Sequence, residues 1–347
     1  MKILHGMSEV AGQGIYSVLG LKESGYDANM AVWVKNPSNY PTDICIGVDK
    51  QNKKMFPIYA IKMGIFALKS FAKYDVLHSH FGYSLLPFNL DVPFLKLFKK
   101  KIFSEFHGSD IRFIFNDVKY DYYKVGAPAP NIKKKIQKRI LKLLKNSEGI
   151  ILHDAELIPH LPQTNLPVYI VPLRLDLSKF DPVFPDVDKK IPTIVHAPSK
   201  RSTKGTEEIL QALKKVYSEF ELVLVEGKTQ EEAIEIYKSA DIIIDQVSVG
   251  TYGVFAIEAM ALGKPVITYI SDEMRKTLPD SLPIVSAEFD NLPEVIEELI
   301  KDSEKRHSIG VEGRKYAIRY HDNIKVSKYL GEIYQGIVSD RNVFNLL

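Results

Sequence analysis

The sequence holds one cysteine, Cys45, among 347 residues. A lone cysteine excludes an intramolecular disulfide and any cysteine-built zinc site, and a reducing cytosol is the expected compartment. No apolar run reaches the roughly 20 residues that a membrane-crossing helix needs. The opening Met1-Lys2-Ile3-Leu4-His5-Gly6 carries one charge and turns polar at Ser8-Glu9. It is expected to be a first strand, not a secretory signal. Histidines 78, 80, 107 and 153 stand near expected strand ends, but no H-E-x-x-H or comparable spacing links them. No metal is expected. No 20–50-residue repeat or low-complexity tract is visible.

What is present suits a soluble two-domain protein. The length is about twice that of a typical domain. With 45% hydrophobic and 26% charged residues, the chain is neither disordered nor fibrous. Charge is unevenly spread: residues 1–176 hold 24 Lys+Arg against 15 Asp+Glu, and the remainder 22 against 28. A basic half joined to an acidic half suggests an anionic partner for the first, or simply two domains that differ in charge. No nucleic acid is expected as a partner.

Short apolar, β-branched runs alternate with longer helical patterns. Expected strands are Lys2–Met7, 29–34, 75–80, 101–107, 149–153 and 168–172, then 193–197, 221–226, 241–245 and 265–270. Expected helices include 14–22, 59–71 and 132–145, then 206–217, 229–239, 254–262 and Leu292–Lys301. Continuous apolar strands alternating with helices imply parallel sheets covered on both faces. The pattern occurs twice, so the expected fold class is α/β: two Rossmann-like, doubly wound domains facing a cleft. The proline-bearing stretch from Pro172 to Pro192 lacks periodicity and marks the boundary. This gives an N-terminal domain over 1–175, a C-terminal domain over 176–323, and a helix over 324–347 that could pack back on the first domain.

Ligands of such sheets sit at the carboxyl ends of strands. After the first strand come Gly12 and Gly14, which could let a backbone approach an anion, or could be a plain tight turn. Ser17 stands where a G-x-G-x-x-G fingerprint has its third glycine, so the dinucleotide signal is weak. His107-Gly108-Ser109-Asp110 forms a polar cluster at another strand end. The loop after the first strand of the second half carries Lys200, Arg201 and Lys204 before a helix, a pattern suited to a diphosphate or to plain solvation. The richest stretch is 245–268, DQVSVGTYGVFAIEAMALGKPVIT. There Glu258 lies on a helix among Phe255, Ile257 and Met260. A carboxylate in apolar company needs a hydrogen-bond donor, and ribose hydroxyls would serve.

These residues resemble the group 1 (family 4) retaining glycosyltransferases of GT-B type. Asp75-Val76-Leu77-His78-Ser79-His80 resembles that family's strand ending in His-x-His, and His107–Asp110 its H-G-x-D segment. Val171-Pro172-Leu173-Arg174-Leu175-Asp176, with Phe180 after it, resembles the family's hinge, although Leu173 and Arg174 replace the usual Asn-Gly. His196–Gly205 resembles the phosphate-binding loop. Gly253…Glu258-Ala259-Met260-Ala261-Leu262-Gly263-Lys264-Pro265-Val266 is the most specific match. The family carries two glutamates separated by seven intervening residues. Glu258 matches the second, and Gly250 occupies the position of the first.

The resemblance implies transfer of a sugar from a nucleotide-sugar, as a substrate, to an acceptor hydroxyl with retention and without a metal or cofactor. It implies Glu258 on the ribose. Gly12, Gly14, Gln246, Thr251, Tyr252, Gly253 and Val254 are then donor contacts. Arg201 and Lys204 would stabilise the leaving diphosphate, and His107 would orient the transferred sugar. Asp186-Val187-Asp188 fits a D-x-D pattern but falls in the boundary stretch, where it is expected to be solvated. Two other readings stay open: a non-catalytic nucleotide-binding subunit, which Gly250 keeps alive, and another GT-B enzyme such as an epimerase or phosphorylase.

Acceptors belong to the first domain in this family, and a sugar or a lipid-linked acceptor is expected. The segment 132–145 sets Lys133, Lys134, Lys135, Lys138, Arg139, Lys142 and Lys145 around an apolar line of Ile132, Ile136, Ile140 and Leu143-Leu144. Such a helix can rest on an anionic membrane surface, here the inner face of the cytoplasmic membrane, or pack as an ordinary surface helix. The segment 94–103, with Lys99-Lys100-Lys101, could add to it.

Overall fold

The computed structural model of the chain describes residues 1–35, 40–48, 53–118 and 128–347. They form two compact units: unit 1 from Met1–Val118, 128–174 and Asn323–Leu347, and unit 2 from Leu175–Asp322.

Unit 1 runs β1 (Lys2–Met7), α1 (Gln13–Glu23), β2 (Asp27–Val32), β3 (Ile44–Cys45), α2 (Phe56–Lys73), β4 (Val76–His80), α3 (Val92–Leu97), β5 (Lys101–Glu105), α4 (Pro130–Leu144), β6 (Gly149–Leu152) and β7 (Val168–Ile170). Among the described residues these strands make one parallel sheet ordered β3-β2-β1-β4-β5-β6-β7. The order turns back between β1 and β4, the switch point of a doubly wound sheet. Leu4, Leu77 and Ile102 build one side of the core, and Phe106, Ile140 and Ile150 another.

Unit 2 runs β8 (Thr193–His196), α5 (Arg201–Lys204), α6 (Thr206–Leu213), β9 (Glu221–Leu224), α7 (Gln230–Lys238), β10 (Ile242–Ile244), α8 (Val254–Ala261), β11 (Val266–Ile267), α9 (Asp272–Arg275), α10 (Leu292–Lys301) and α11 (Ser303–Tyr320). Its parallel sheet is ordered β11-β10-β8-β9. Ile194, Ile242, Ile244 and Ile267 meet Ile296 and Leu299 of α10 in its core. Both units are α/β with parallel sheets.

Helix α11 has no counterpart among the expected helices. Its sequence holds Gly310 and Gly313, which weaken helix propensity. Packing requires them: a Cβ at Gly310 would come within 2.2 Å of the Gly263 carbonyl oxygen, and one at Gly313 within 3.3 Å of Met260. The glycines let α11 lie close against α8 and the turn after it.

The last helix, α12 (Asn323–Gln335), belongs to unit 1. Asn323 Nδ2 donates to the Tyr16 carbonyl at 3.1 Å. A Cβ at Gly20 would strike the Asn323 carbonyl at 2.1 Å, so α1 and α12 touch backbone to backbone. The expected helix to residue 347 stops at Gly336, whose φ of 78° ends it in left-handed geometry.

The boundary stretch is not uniformly polar. Leu173, Arg174 and Leu175 are buried, and Arg174 is among the largest fully enclosed side chains. Asp186 and Asp188 are exposed.

Candidate functional site

In unit 2 the polar groups gather where β8 and β10 end. His196 closes β8. Its Nδ1 lies 2.8 Å from the Ile244 carbonyl and its Nε2 2.9 Å from Thr206 Oγ1. A carbonyl only accepts, so Nδ1 bears the proton and the threonine hydroxyl donates to Nε2. Both ring nitrogens are thus committed, and His196 braces β8 against β10 and α6.

Lys204 ends α5. Gly205 follows with φ 71°, which turns the chain into α6. Lys204 Nζ donates to Asp245 Oδ1 at 2.5 Å and to Gln246 Oε1 at 3.0 Å. Asp245 Oδ2 in turn faces the Gly253 amide at 3.4 Å, at the start of α8. An ammonium has three donors, so two are engaged and one remains for an anion.

Arg201 differs from the expectation that it joins Lys204. Its guanidinium takes Glu207 at 2.8 Å and Glu226 at 3.2 Å, all three side chains well exposed. The surplus of acid in this half of the chain satisfies it at the surface.

Glu258 is buried on α8, and its Oε1 accepts from Gln230 Nε2 at 2.8 Å. Burial raises its pKa to about 7 against the pull of the Gln230 hydrogen bond, and the smaller effects of Asp245, upward, and Lys204, downward, oppose each other. At neutral pH it is divided between acid and carboxylate, which suits a group awaiting hydroxyl donors.

The loop between β10 and α8 is held internally. Gln246 Nε2 donates to the Thr251 carbonyl at 2.6 Å, and Ser271 N to the Gly250 carbonyl at 3.0 Å. Gly250 has φ 82°, a conformation side chains rarely adopt. Tyr252, expected as a donor contact, is turned inward. Its hydroxyl meets His321 Nε2 at 3.2 Å and Tyr316 at 3.3 Å. Val254 opens α8, and Gly253 has room at its Cα, with the nearest atoms 3.8 Å from a notional Cβ.

In unit 1 the turn after β1 also departs from expectation. The amides of Gly14 and Ile15, at the start of α1, donate to the Glu9 carboxylate at 3.2 and 2.9 Å. The anion at this helix terminus is the chain's own. Burial lifts the Glu9 pKa to about 7 against the pull of those amides. The glycines serve packing: a Cβ at Gly12 would strike Tyr16 at 2.4 Å, and one at Gly14 would strike Met30 at 2.7 Å.

The main polar feature of unit 1 is a buried file of histidines. Parallel pairing of β1, β4, β5 and β6 brings together His5, His78, His80, Glu105, His107 and His153. The nitrogens of His5 and His80 lie 3.0 Å apart, those of His80 and His107 3.0 Å, and those of His107 and His153 2.8 Å. His78 bridges Glu105 at 2.7 Å and Tyr334 of α12 at 2.5 Å, and Tyr334 reaches His5 at 3.1 Å. Arg174 Nη2 holds Glu105 Oε1 at 2.5 Å. Although Glu105 is buried, Arg174 and His78 keep its pKa well below the usual carboxylate range, and desolvation lowers those of the histidines. Burial takes His107 down to about 4.

His107 was expected to orient a sugar. Here its two nitrogens are taken by His80 and His153, so it has no free ring nitrogen to offer. Asp110 accepts the amides of His107 at 3.0 Å and Gly108 at 2.8 Å, fixing the loop.

Two sets could place ligand atoms within 4.8 Å of one another: His5, His78 and His80; and His80, Glu105 and His107. The rings of the first set stack, His5 on His78 at 4.2 Å and 16°, His78 on His80 at 4.6 Å and 24°. Imidazole lone pairs lie in the ring plane, so stacked rings do not converge on one ion about 2.0–2.1 Å from each nitrogen. His80 and His107 are likewise within 24° of parallel.

Residues 222–316 match the family model described as Glycosyl transferases group 1. No curated protein matches the chain by sequence. Sucrose-phosphate synthase from Thermosynechococcus elongatus superposes with a TM-score of 0.69 at 15% identity, over 96% of this chain and 98% of that one. HepE from Anabaena, solved in complex with UDP-glucose, gives 0.65 at 12% over 97% and 100%. WaaG, a glycosyltransferase involved in lipopolysaccharide biosynthesis, gives 0.62 at 12% over 97% and 100%. At these identities the likeness shows the fold, GT-B.

Proposed function

We propose that this chain, whose residues 222–316 match the group 1 glycosyltransferase model, moves a sugar from a nucleotide-sugar to an acceptor hydroxyl with retention. The observation that carries this reading is Glu258, a buried carboxylate in the matched segment, poised at a pKa of about 7 one turn into α8. A vicinal ribose diol supplies two hydroxyl donors to such a group. The amides opening α8 and the third N–H of Lys204 then suit the diphosphate. Lys204 stabilises charge that develops on the leaving diphosphate. Arg201 reaches it only by leaving its two carboxylates. No step in this reading needs a metal or a cofactor.

The donor is read as a UDP-sugar or a related nucleotide-sugar, in keeping with the UDP-glucose bound by HepE. The acceptor is read as a sugar or lipid-linked glycan met by unit 1, in work such as cell-surface glycan synthesis on the cytoplasmic side of a membrane. Support for a membrane surface comes from α4. Lys134, Lys135, Lys138 and Lys145 are exposed, as are Ile132 and Leu141. Among the described residues no helix is long and apolar enough to cross a membrane.

The test is incubation of the full chain with a panel of nucleotide-sugars and acceptors. Acceptor-dependent release of a nucleoside diphosphate with a glycosylated product is expected. Nucleotide binding without any turnover would favour the non-catalytic alternative, which the side-chain-free, left-handed Gly250 supports. Absence of nucleotide binding would overturn both.

A further inference from the structure

We infer that the buried polar file of unit 1 is a one-way hydrogen-bond ring, one proton short of closure, in which Glu105 and Tyr334 are positioning residues that keep the proton of His107 on Nε2. The direction follows from which contact with Glu105 carries a proton. Arg174 holds Glu105 as a carboxylate, which only accepts. His78 Nε2, 2.7 Å from Glu105 Oε2, therefore donates, and its Nδ1 accepts from the Tyr334 hydroxyl. The phenol has one proton and has now spent it, so its oxygen accepts from His5 Nε2. His5 Nδ1 then accepts from His80 Nε2, His80 Nδ1 from His107 Nε2, and His107 Nδ1 from His153 Nε2. Every ring is neutral and protonated on Nε2.

The file ends at His153 Nδ1, a buried atom without a hydrogen bond, 3.4 Å from Glu105 Oε1. The carboxylate that starts the file also stands at its end. The opposite sense is also complete on paper, but it would set the bare Nδ-side of the file elsewhere: His78 Nε2 and Glu105 Oε2 would face each other lone pair to lone pair at 2.7 Å. The proton belongs in the 2.7 Å contact; the bare nitrogens that then face Glu105 stand farther off, His153 Nδ1 at 3.4 Å and His80 Nδ1, which accepts from His107, at 3.3 Å. A proton added at His153 Nδ1 would close the ring as an imidazolium beside Glu105. Arg174, on Glu105, and Arg112, which holds Glu156 at 2.6 Å, are the fixed cations that oppose it.

Removing the Tyr334 hydroxyl gives an outcome of definite sign. Without it, His5 Nε2 loses its acceptor, and the arm from His5 to His153 is free to reverse. Reversal costs no hydrogen bond within the arm and turns the vacancy at His153 into a charge-assisted bond to Glu105. In Tyr334→Phe the proton of His107 should therefore move from Nε2 to Nδ1, while His78 stays on Nε2. A residue on the last helix thus sets the chemistry of a loop more than 200 residues earlier. That this loop serves a sugar rests on the transferase reading; the tautomers do not.

The experiment is long-range 1H–15N NMR of the full chain labelled with 15N-histidine, at neutral pH. Wild type should show His5, His78, His80, His107 and His153 neutral and protonated on Nε2. His196 should show the opposite tautomer, as an internal control. An Nδ1-protonated or charged His107 in wild type would overturn the ring, and this measurement needs no variant to fold. In Tyr334→Phe that still unfolds in one cooperative transition, His107 should switch to Nδ1; retention of Nε2 would remove Tyr334 from the role. Binding of nucleoside diphosphate, read by calorimetry, should be the same in both proteins. Loss of nucleotide binding in wild type would sink the transferase reading and leave the ring to its own readout.

Discussion

The ammonium of Lys204 and the carboxylate of Asp245 meet at 2.5 Å in the interior of unit 2, where α5 and β10 end. Asp245 is fully buried and Lys204 nearly so. Removing one member of such a pair leaves a buried charge alone, at about 3–5 kcal/mol. Lys204→Ala should therefore lower stability by that order, and Lys204→Ala with Asp245→Asn should recover most of it. Denaturant titration of the three proteins checks this. A single variant as stable as wild type would show that water already screens the pair.

The same geometry separates Lys204 from Arg201. Arg201→Ala should leave both the melting temperature and nucleoside diphosphate affinity close to wild type, because its guanidinium is spent on Glu207 and Glu226. In a Lys204→Met, Asp245→Asn background, diphosphate affinity should fall more than nucleoside affinity. Calorimetry with the two ligands decides it, and equal losses would mean that Lys204 only shapes the loop.

Glu258 should impose a pH dependence. Its folded pKa is raised from 4.5 to about 7, so the folded state holds a proton that the unfolded chain releases. The sign is that of a group whose favourable contribution is complete below pH 4.5 and fades as pH rises through 7. Relative to wild type, Glu258→Gln should thus gain about 2–3 kcal/mol between pH 5 and pH 8. Ribose hydroxyls donate to the ionised form, so a neutral nucleoside should bind wild type up to about tenfold tighter at pH 8 than at pH 6. Glu258→Gln should abolish that slope and weaken nucleoside diphosphate binding by about 1–3 kcal/mol. A flat wild-type profile would place Glu258 away from the nucleotide.

These residues show what the sequence made legible. Glu258, Lys204 and the strands around them were readable because apolar β-branched runs mark buried parallel strands and motif residues follow their ends. Burial of Arg174 was not readable, since an arginine in a proline-bearing stretch looks solvated until Glu105 is placed opposite it. The histidines were visible singly, but their union depends on strand order, and spacing does not say that β1 lies beside β4. Helix α11 escaped because Gly310 and Gly313 argue against a helix locally and are required by its neighbour.

Turnover should survive a chelator. The stacked histidines of unit 1 do not converge on an ion, and Asp186 and Asp188 are solvated in the boundary stretch. Activity lost in EDTA and restored by magnesium or manganese would refute this.

The basic helix α4 gives the last prediction. Not all its cations are available: Lys133 is paired with Asp117 at 2.7 Å, and Arg139 lies over the Tyr83 ring at 3.9 Å. Lys134, Lys135, Lys138 and Lys145 remain exposed, and Lys142 Nζ reaches the carbonyl of Phe88 at 3.5 Å. That contact ties α4 to an apolar rim in which Phe88, Leu90, Phe94 and Leu97 are each more than half exposed. Apolar side chains beside free lysines fit an anionic bilayer, where each cation near the surface contributes about 1 kcal/mol. The full chain should therefore bind vesicles containing anionic lipid at low salt and release them as salt rises, because the attraction is screened. Changing Lys134, Lys135, Lys138 and Lys145 to glutamate should abolish binding with the fold intact. Phe94→Ser with Leu97→Ser should weaken it with much less change in its salt dependence, since those residues act through burial. Wild-type protein that ignores anionic vesicles at low salt would make α4 an ordinary surface helix, and a soluble acceptor would then be the better substrate to try.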